Sequence, residues 1–234
     1  MQHDRPATPS DVKRQLRQES GFGCCFCGHP FIQYHHIVPW HEDNHFRPDD
    51  MMTACGQCHH LLTVKAIPVN DQRKAKANPK NIVDRDIKGK LYVTSSELVV
   101  KLGSGTAIAT SNLLVIKNDI ILSARLSKDD GRVLISAIIM DRVGSTIARL
   151  VDNEWSMLPG AVWDFEAYPR HATIRTGHGE IAYAVDTRND EVLMQGKWFF
   201  AGYPVDFSPT HANVMGVTLK AFTSRYGQNY ITLN

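Results

Sequence analysis

Hydrophobic and polar positions divide the chain into two textures. From Leu91 onward short apolar runs recur: LYVTSSELVVKL, TAIATSNLLVIKN, DIILSARL, RVLISAIIM and STIARLV, then ATIRT, EIAYAVD, EVLMQGKWFFAG and VMGVTLKAF. Turn-like separators (GSG, KND, KDDG and RND) interrupt them. Runs of this kind at roughly 8–12-residue spacing predict the strands of an all-β sandwich or barrel. Brief, evenly spaced runs fit a short parallel β-solenoid as well, and no internal repeat is clean enough to choose between them. The stretch from Trp155 to His171, with Pro159, Gly160 and Pro169, is a candidate divide between two β lobes.

Ahead of Leu91 the pattern changes. Residues 1 to 9 are polar and proline-bearing, a loose arm. Pro9 and Ser10 read as a helix start with Ser10 as N-cap, Val12 and Leu16 share a face, and Gly21 and Gly23 end the element. Lys13, Arg14 and Arg17 on this helix read most simply as a solvated face and, more sharply, as phosphate contacts. FIQYHHIVPW reads as a strand ending at Pro39, HEDNHFRPDD as a loop, and a helix is expected from about Cys58. Residues 68 to 90 are basic, with prolines at 68 and 79, and read as a linker or a DNA-contacting arm. The expected organisation is α+β. A small zinc-bound domain over residues 1–80 precedes an all-β domain over residues 81–234 that serves recognition, sensing or assembly.

Composition sharpens this picture without changing it. A net charge of +2 on 234 residues gives no global basic field. Residues 1 to 90 nevertheless hold 13 Lys/Arg against 10 Asp/Glu and eight of the 11 histidines, so the chemistry concentrates at the front. All five cysteines lie between positions 24 and 58, a clustering that suits metal ligation in a reducing compartment rather than a disulfide framework. The start, MQHDRPATPSD, has no apolar signal-peptide core, and runs such as Val133 to Met140 are too short to span a bilayer. The expectation is a cytoplasmic protein with no membrane partner.

The chemistry-bearing stretch is CCFCGHPFIQYHHIVPWHEDNHFRPDDMMTACGQCHHLLTVK, residues 24 to 65. Cys24-x-x-Cys27 and Cys55-x-x-Cys58 offer two sulfur pairs to one tetrahedral zinc ion. Cys25 is the spare thiol. A segment this small buries little apolar surface, so it is expected to fold only with its zinc. His35 and His36 lie between the cysteine pairs, and His59 and His60 follow the last cysteine. Enclosed histidines of this kind are what a second, catalytic metal site needs. His41 and His45, in the intervening loop, read as solvated.

This stretch resembles the zinc-stapled HNH endonucleases, over roughly residues 10 to 80. The resemblance implies a ββα-metal core. HHIVP matches the family's D/H-H-I-x-P, which makes His35 a ligand of a catalytic divalent ion and His36 the general base that takes a proton from the attacking water. A histidine suits that task because it titrates near neutrality. His59 stands where the family carries its last motif residue, a second ligand of the same ion. The family's middle Asn falls five residues before the third cysteine. Here that position is Asp50, followed by Met51 and Met52. Asp50 accepts the hydrogen bonds of an Asn but cannot donate them. The implied reaction is divalent-metal-assisted hydrolysis of DNA phosphodiester bonds, with Mg²⁺ the default ion and a 5′-phosphate product. Arg47, Lys65 and Arg73 are the candidate backbone grips. A homodimer, or a ligand or protein partner for the β half, is compatible with the sequence. The competing function is a non-catalytic zinc module that binds DNA or protein, its nuclease site decayed at Asp50.

Overall fold

The computed structural model describes residues 6–189 and 191–233. The first five residues of the expected N-terminal arm, and Asp190 of the RND turn signal, lie outside them. The chain divides into two compact units, Met1–Ile87 and Lys88–Asn234. No helix among the described residues is long and apolar enough to cross a membrane.

The first unit opens with helix α1, Ser10–Glu19. Pro9 occupies the N-cap position and Ser10 the first helical turn, one residue off the expected cap, and no side chain caps the helix. Strands β1 (Ile32–His36) and β2 (Met51–Cys55) pair antiparallel, with His35 opposite Met52 and His36 opposite Met51. A 3₁₀ turn over Pro48–Asp50 leads into β2. Helix α2, Gly56–Thr63, starts directly after β2 with Cys55 as its N-cap residue, two residues before the expected start.

Residues 68 to 90 are not a linker. They form α3 (Val69–Ala77), α4 (Lys80–Asp84) and the short strand Ile87–Lys90. Pro68 and Pro79, which read as linker punctuation, are the N-cap residues of α3 and α4. In α4, Asn81 is buried, and its amide donates to the carbonyls of Gly21 (2.9 Å) and Gly28 (3.2 Å). The Lys80 N–H donates to the Cys25 carbonyl at 3.1 Å. This helix therefore clamps the first cysteine turn from behind. The core of the unit gathers Ile37, Met52, Ala54 and Leu62 around Cys24, Cys25 and Cys55.

The second unit is all strand and turn among the described residues. Asn112–Ile116, Asp119–Leu126, Val133–Met140, Thr146–Val151 and Glu154–Met157 form one antiparallel meander. A second runs from Asp164–Tyr168 through His171–Gly177, Glu180–Asp186, Val192–Phe200 and Tyr203–Ser208 to His211–Val214. Strict alternation of buried and less buried positions in Val133–Met140 shows the one-sided burial of an antiparallel sheet. Three parallel pairings join early segments to late ones: Val99–Leu102 with Val192–Phe200, Gly105–Ile108 with Thr223–Arg225, and Asn112–Ile116 with Asn229–Leu233. These long-range pairings hold residues 88–234 as one unit, so Trp155–His171 does not divide it. Trp198, Phe165 and Phe207 are its largest fully buried side chains.

Candidate active site and metal centre

The four cysteines expected to bind zinc come together. One sulfur from each of Cys24, Cys27, Cys55 and Cys58 lies within 4.8 Å of the other three. Four thiolates held at about 2.3 Å from one ion stand about 3.8 Å apart. Cys27 and Cys55 are 3.6 Å apart and Cys27 and Cys58 4.0 Å, which brackets that spacing. The donor set thus fits a structural zinc. Local backbone makes the cradle. Gly28, at φ 75°, closes the first turn, its N–H donating to the Cys24 carbonyl at 2.8 Å. The second pair sits at the start of α2. Crowding acts on the thiols as well. Burial, then the neighbouring sulfurs, pushes Cys58 up, and burial lifts Cys27 to about 11. Burial also acts to raise Cys55, but hydrogen bonds from the Cys58 main chain and the adjacent sulfurs outweigh it and lower that thiol.

Cys25, the spare, turns away from this cluster. Its sulfur lies 3.5 Å from the Thr53 hydroxyl, and burial raises its pKa. Its N–H donates to the Thr53 carbonyl at 3.0 Å, which ties the cysteine turn to β2.

The histidines gather at an open cleft of about 700 Å³ whose lining includes His35, His36, His59, Tyr34, Trp40 and Lys65. His59 follows Cys58 in α2, so the geometry that places the sulfur also turns the next side chain. The His35 and His59 rings meet edge to face with centroids 5.4 Å apart, one from β1 and one from α2. His36 is buried, and its Nε2 lies 2.9 Å from the His45 carbonyl oxygen. Trp40 and Phe46 pack on the same ring at 5.6 and 5.9 Å. Tyr34 is anchored from α1, where Arg17, itself buried, donates to its hydroxyl at 2.7 Å.

The three other candidates behave differently from one another. Lys65 lines the cleft, at a left-handed backbone position just past α2. Arg47 and Arg73 converge on Asp50 instead: Arg73 donates to its carboxylate at 2.6 Å and Arg47 at 2.9 Å. Arg73 also donates to the Asp49 carbonyl, and Arg47 pairs with Asp43 at 2.7 Å. These contacts, Arg73 first, hold the Asp50 carboxyl below the usual carboxylate range. The main chain of Asp50 lies near His36, its carbonyl accepting from the Ile37 N–H at 2.8 Å, one residue beyond His36.

Sequence reasoning took His45 for a solvated loop residue. It is buried, and its ring and carbonyl organise the loop beside His36. No motif spacing marks it, because its contacts are to main-chain atoms that the fold brings near.

Two antiparallel strands followed by a helix carry a four-cysteine cluster that fits a zinc ion, beside a histidine-lined cleft. The family model for HNH endonuclease matches residues 24–65, the stretch that carries every one of these features. That family comprises nucleases, so the match supports an endonuclease-type function on nucleic acid beside the cysteine cluster. It covers less than a fifth of the chain. No curated protein matches this chain. No solved structure matches it either.

Proposed function

We propose that the chain is a metal-dependent endonuclease that hydrolyses DNA phosphodiester bonds in the cleft of its first unit. The observation that carries this reading is the meeting of His35 and His59 at 5.4 Å in the same cleft as His36. Two imidazoles from a strand and a helix can share one divalent cation, leaving its other positions to water and phosphate. Such an ion, when bound, would neutralise charge developing on the phosphate and the leaving oxygen. Imidazole donors favour the later transition metals over Mg²⁺, whose preferred ligands are oxygens. Among the described residues Glu42 is the carboxylate residue in the cleft lining, and it lies against His41 at 3.8 Å. We therefore expect Ni²⁺ to support activity better than Mg²⁺.

His36 is the base in this reading. A carbonyl oxygen only accepts, so the nitrogen that faces the His45 carbonyl carries the proton, and in the neutral ring the lone pair resides on Nδ1. That nitrogen takes the proton from water as it attacks phosphorus. Lys65 holds the approaching backbone as a charge at the cleft edge. Arg47 and Arg73 brace the loop through Asp50 rather than gripping substrate. The cysteine cluster contributes rigidity: with zinc bound it sets the start of α2 and hence the His59 ring. Nothing in the small core reads bases, so we assign target selection, sensing or assembly to the β unit.

The test is nicking of supercoiled plasmid by the purified full chain with Mg²⁺, Mn²⁺, Ni²⁺ or EDTA, beside His36→Ala. The expected outcome is metal-dependent nicking that falls about 10²- to 10⁴-fold in the variant, the usual worth of a positioned base, with zinc content unchanged. Zinc-loaded protein that cuts under none of these metals would refute the reading.

A further inference from the structure

We propose that the cleft of the first unit takes single-stranded DNA, with one base stacked on the Tyr34 ring and a flanking phosphate on Lys13. The inference rests on the nuclease reading for its ligand class, nucleic acid, and on the geometry of α1 and β1 for the contact.

Most cations of the first unit are already engaged by carboxylates. In α3, Arg73 meets Asp50 at 2.6 Å, Lys74 meets Asp71 at 3.1 Å and Lys76 meets Glu19 at 2.8 Å. In α4, Lys80 meets Asp84 at 3.0 Å. Arg47 is shared between Asp43 and Asp50. Lys13 and Lys65 have no carboxylate partner among the described residues. Lys65 lines the cleft. Lys13, on α1, reaches the same cleft through Tyr34, another lining residue, with its ammonium 5.9 Å from the centroid of that ring. Two cations left to meet a phosphate backbone therefore stand at the cleft, one at each of two elements.

Tyr34 is built as a rigid platform. It stands on β1 two residues before His36, so the two side chains leave the same face of the strand. The residue is half-buried, and its hydroxyl accepts from Arg17 at 2.7 Å. Arg17 is itself buried in α1, so the ring is fixed at its far end before any ligand arrives. A ring ordered in advance loses little freedom on binding. The cleft, at about 700 Å³, has the size of pockets that enclose small molecules, which suits a splayed nucleotide rather than a duplex. In a duplex each base is stacked between its neighbours, whereas an unpaired base can lie on a protein ring without first being unstacked. Stacking accepts any base, so the contact selects the state of the strand and not its sequence. Lys13 places its charge beside the ring, near the phosphates that flank a stacked base.

The experiment is fluorescence anisotropy on the zinc-loaded full chain with no further divalent ion added. The probes are a labelled oligothymidine, a strand of the same length with abasic residues, and a blunt duplex of that length. Wild type should bind the oligothymidine about 10-fold more tightly than the abasic strand, within what one stacked base contributes, and more tightly than the duplex. Tyr34→Leu should remove the difference between the two single strands. Tyr34→Phe loses the same hydroxyl but keeps a ring, and should keep most of the difference. Lys13→Gln should weaken both single strands alike and make the log–log salt dependence shallower by about 0.7. Equal wild-type binding of the oligothymidine and the abasic strand overturns the proposal even if Tyr34→Leu fails to fold. So does a difference that survives in folded Tyr34→Leu, and so does tighter binding of the duplex. An unchanged salt slope in Lys13→Gln overturns the phosphate contact. A chain that binds as expected, yet nicks no plasmid under any metal, refutes the nuclease reading and leaves this inference standing.

Discussion

Removing zinc should unfold the first unit and leave the second folded. The first unit has seven large buried apolar side chains: Leu16, Phe22, Ile37, Met51, Met52, Leu62 and Ile87. At about 1.5–3 kcal/mol each, their burial supplies about 10–21 kcal/mol. Structural zinc in small modules supplies about 10–16 kcal/mol. Net stability of folded domains is only about 5–15 kcal/mol, so the ion's contribution is as large as the whole margin. The geometry makes this sharper, because Cys24, Cys25 and Cys55 are themselves members of the core cluster. Without a cation the sulfurs of Cys24 and Cys55 would have to be neutralised by protons, which cannot join the four ligands as the ion would. The assay is circular dichroism of the full chain before and after chelation under reducing conditions. All four helices among the described residues lie between Ser10 and Asp84, so helical signal reports on the first unit. In a Trp40→Phe background, which removes the tryptophan of the first unit, fluorescence of the buried Trp155 and Trp198 reports on the second. Loss of the helical signal with retained tryptophan environment is expected, and re-addition of zinc should restore it. Retention of full helical signal by zinc-free protein would refute the reasoning and leave the cysteine cluster a bystander.

Three further outcomes follow from particular contacts. Lys65→Gln should weaken plasmid binding and make its log–log salt dependence shallower by about 1, measured by anisotropy across ionic strengths, because one phosphate contact is lost. In the β unit, burial first holds His171 below the ordinary imidazole value. A depressed base is neutral in both states at high pH. As pH falls through about 6.5 the unfolded chain takes the proton first, so stability is lost on acidification. Melting followed by tryptophan fluorescence from pH 8 to pH 5 should fall more steeply in wild type than in His171→Gln. Gly196 has φ 150°, and a Cβ there would lie 2.2 Å from the Ala182 carbonyl oxygen. Gly196→Ala should therefore cost about 2–4 kcal/mol and lower the melting temperature of the β unit by about 10 °C.

Much of the chain was legible before any fold was known. Two C-x-x-C pairs announce a tetrahedral sulfur site because ligand spacing within a turn is a local property of the backbone. HHIVP and the histidine after the fourth cysteine were legible for the same reason. The β texture of the second half shows in short apolar runs set off by turn-like separators, which the antiparallel ladders then use. Local sequence also misled where one signal serves two structures. Prolines at 68 and 79 mark a linker or a helix start equally well, and packing of Asn81 onto the cysteine turn decided for helices.

Local sequence determined the two C-x-x-C pairs, the two histidine pairs and the strand-rich second half, because each depends on residues close together along the chain. Only the tertiary structure decided which side chains face one another. It brought His35 to His59, gave the carboxylate of Asp50 to Arg47 and Arg73, and set the His45 carbonyl against His36. It also paired strands near residue 100 with strands near residues 194, 224 and 231. Hydrogen bonds to main-chain atoms and pairings across more than ninety residues leave no periodic mark in a sequence, since any side chain of suitable polarity can occupy them. They arise only when burial has already brought distant segments together.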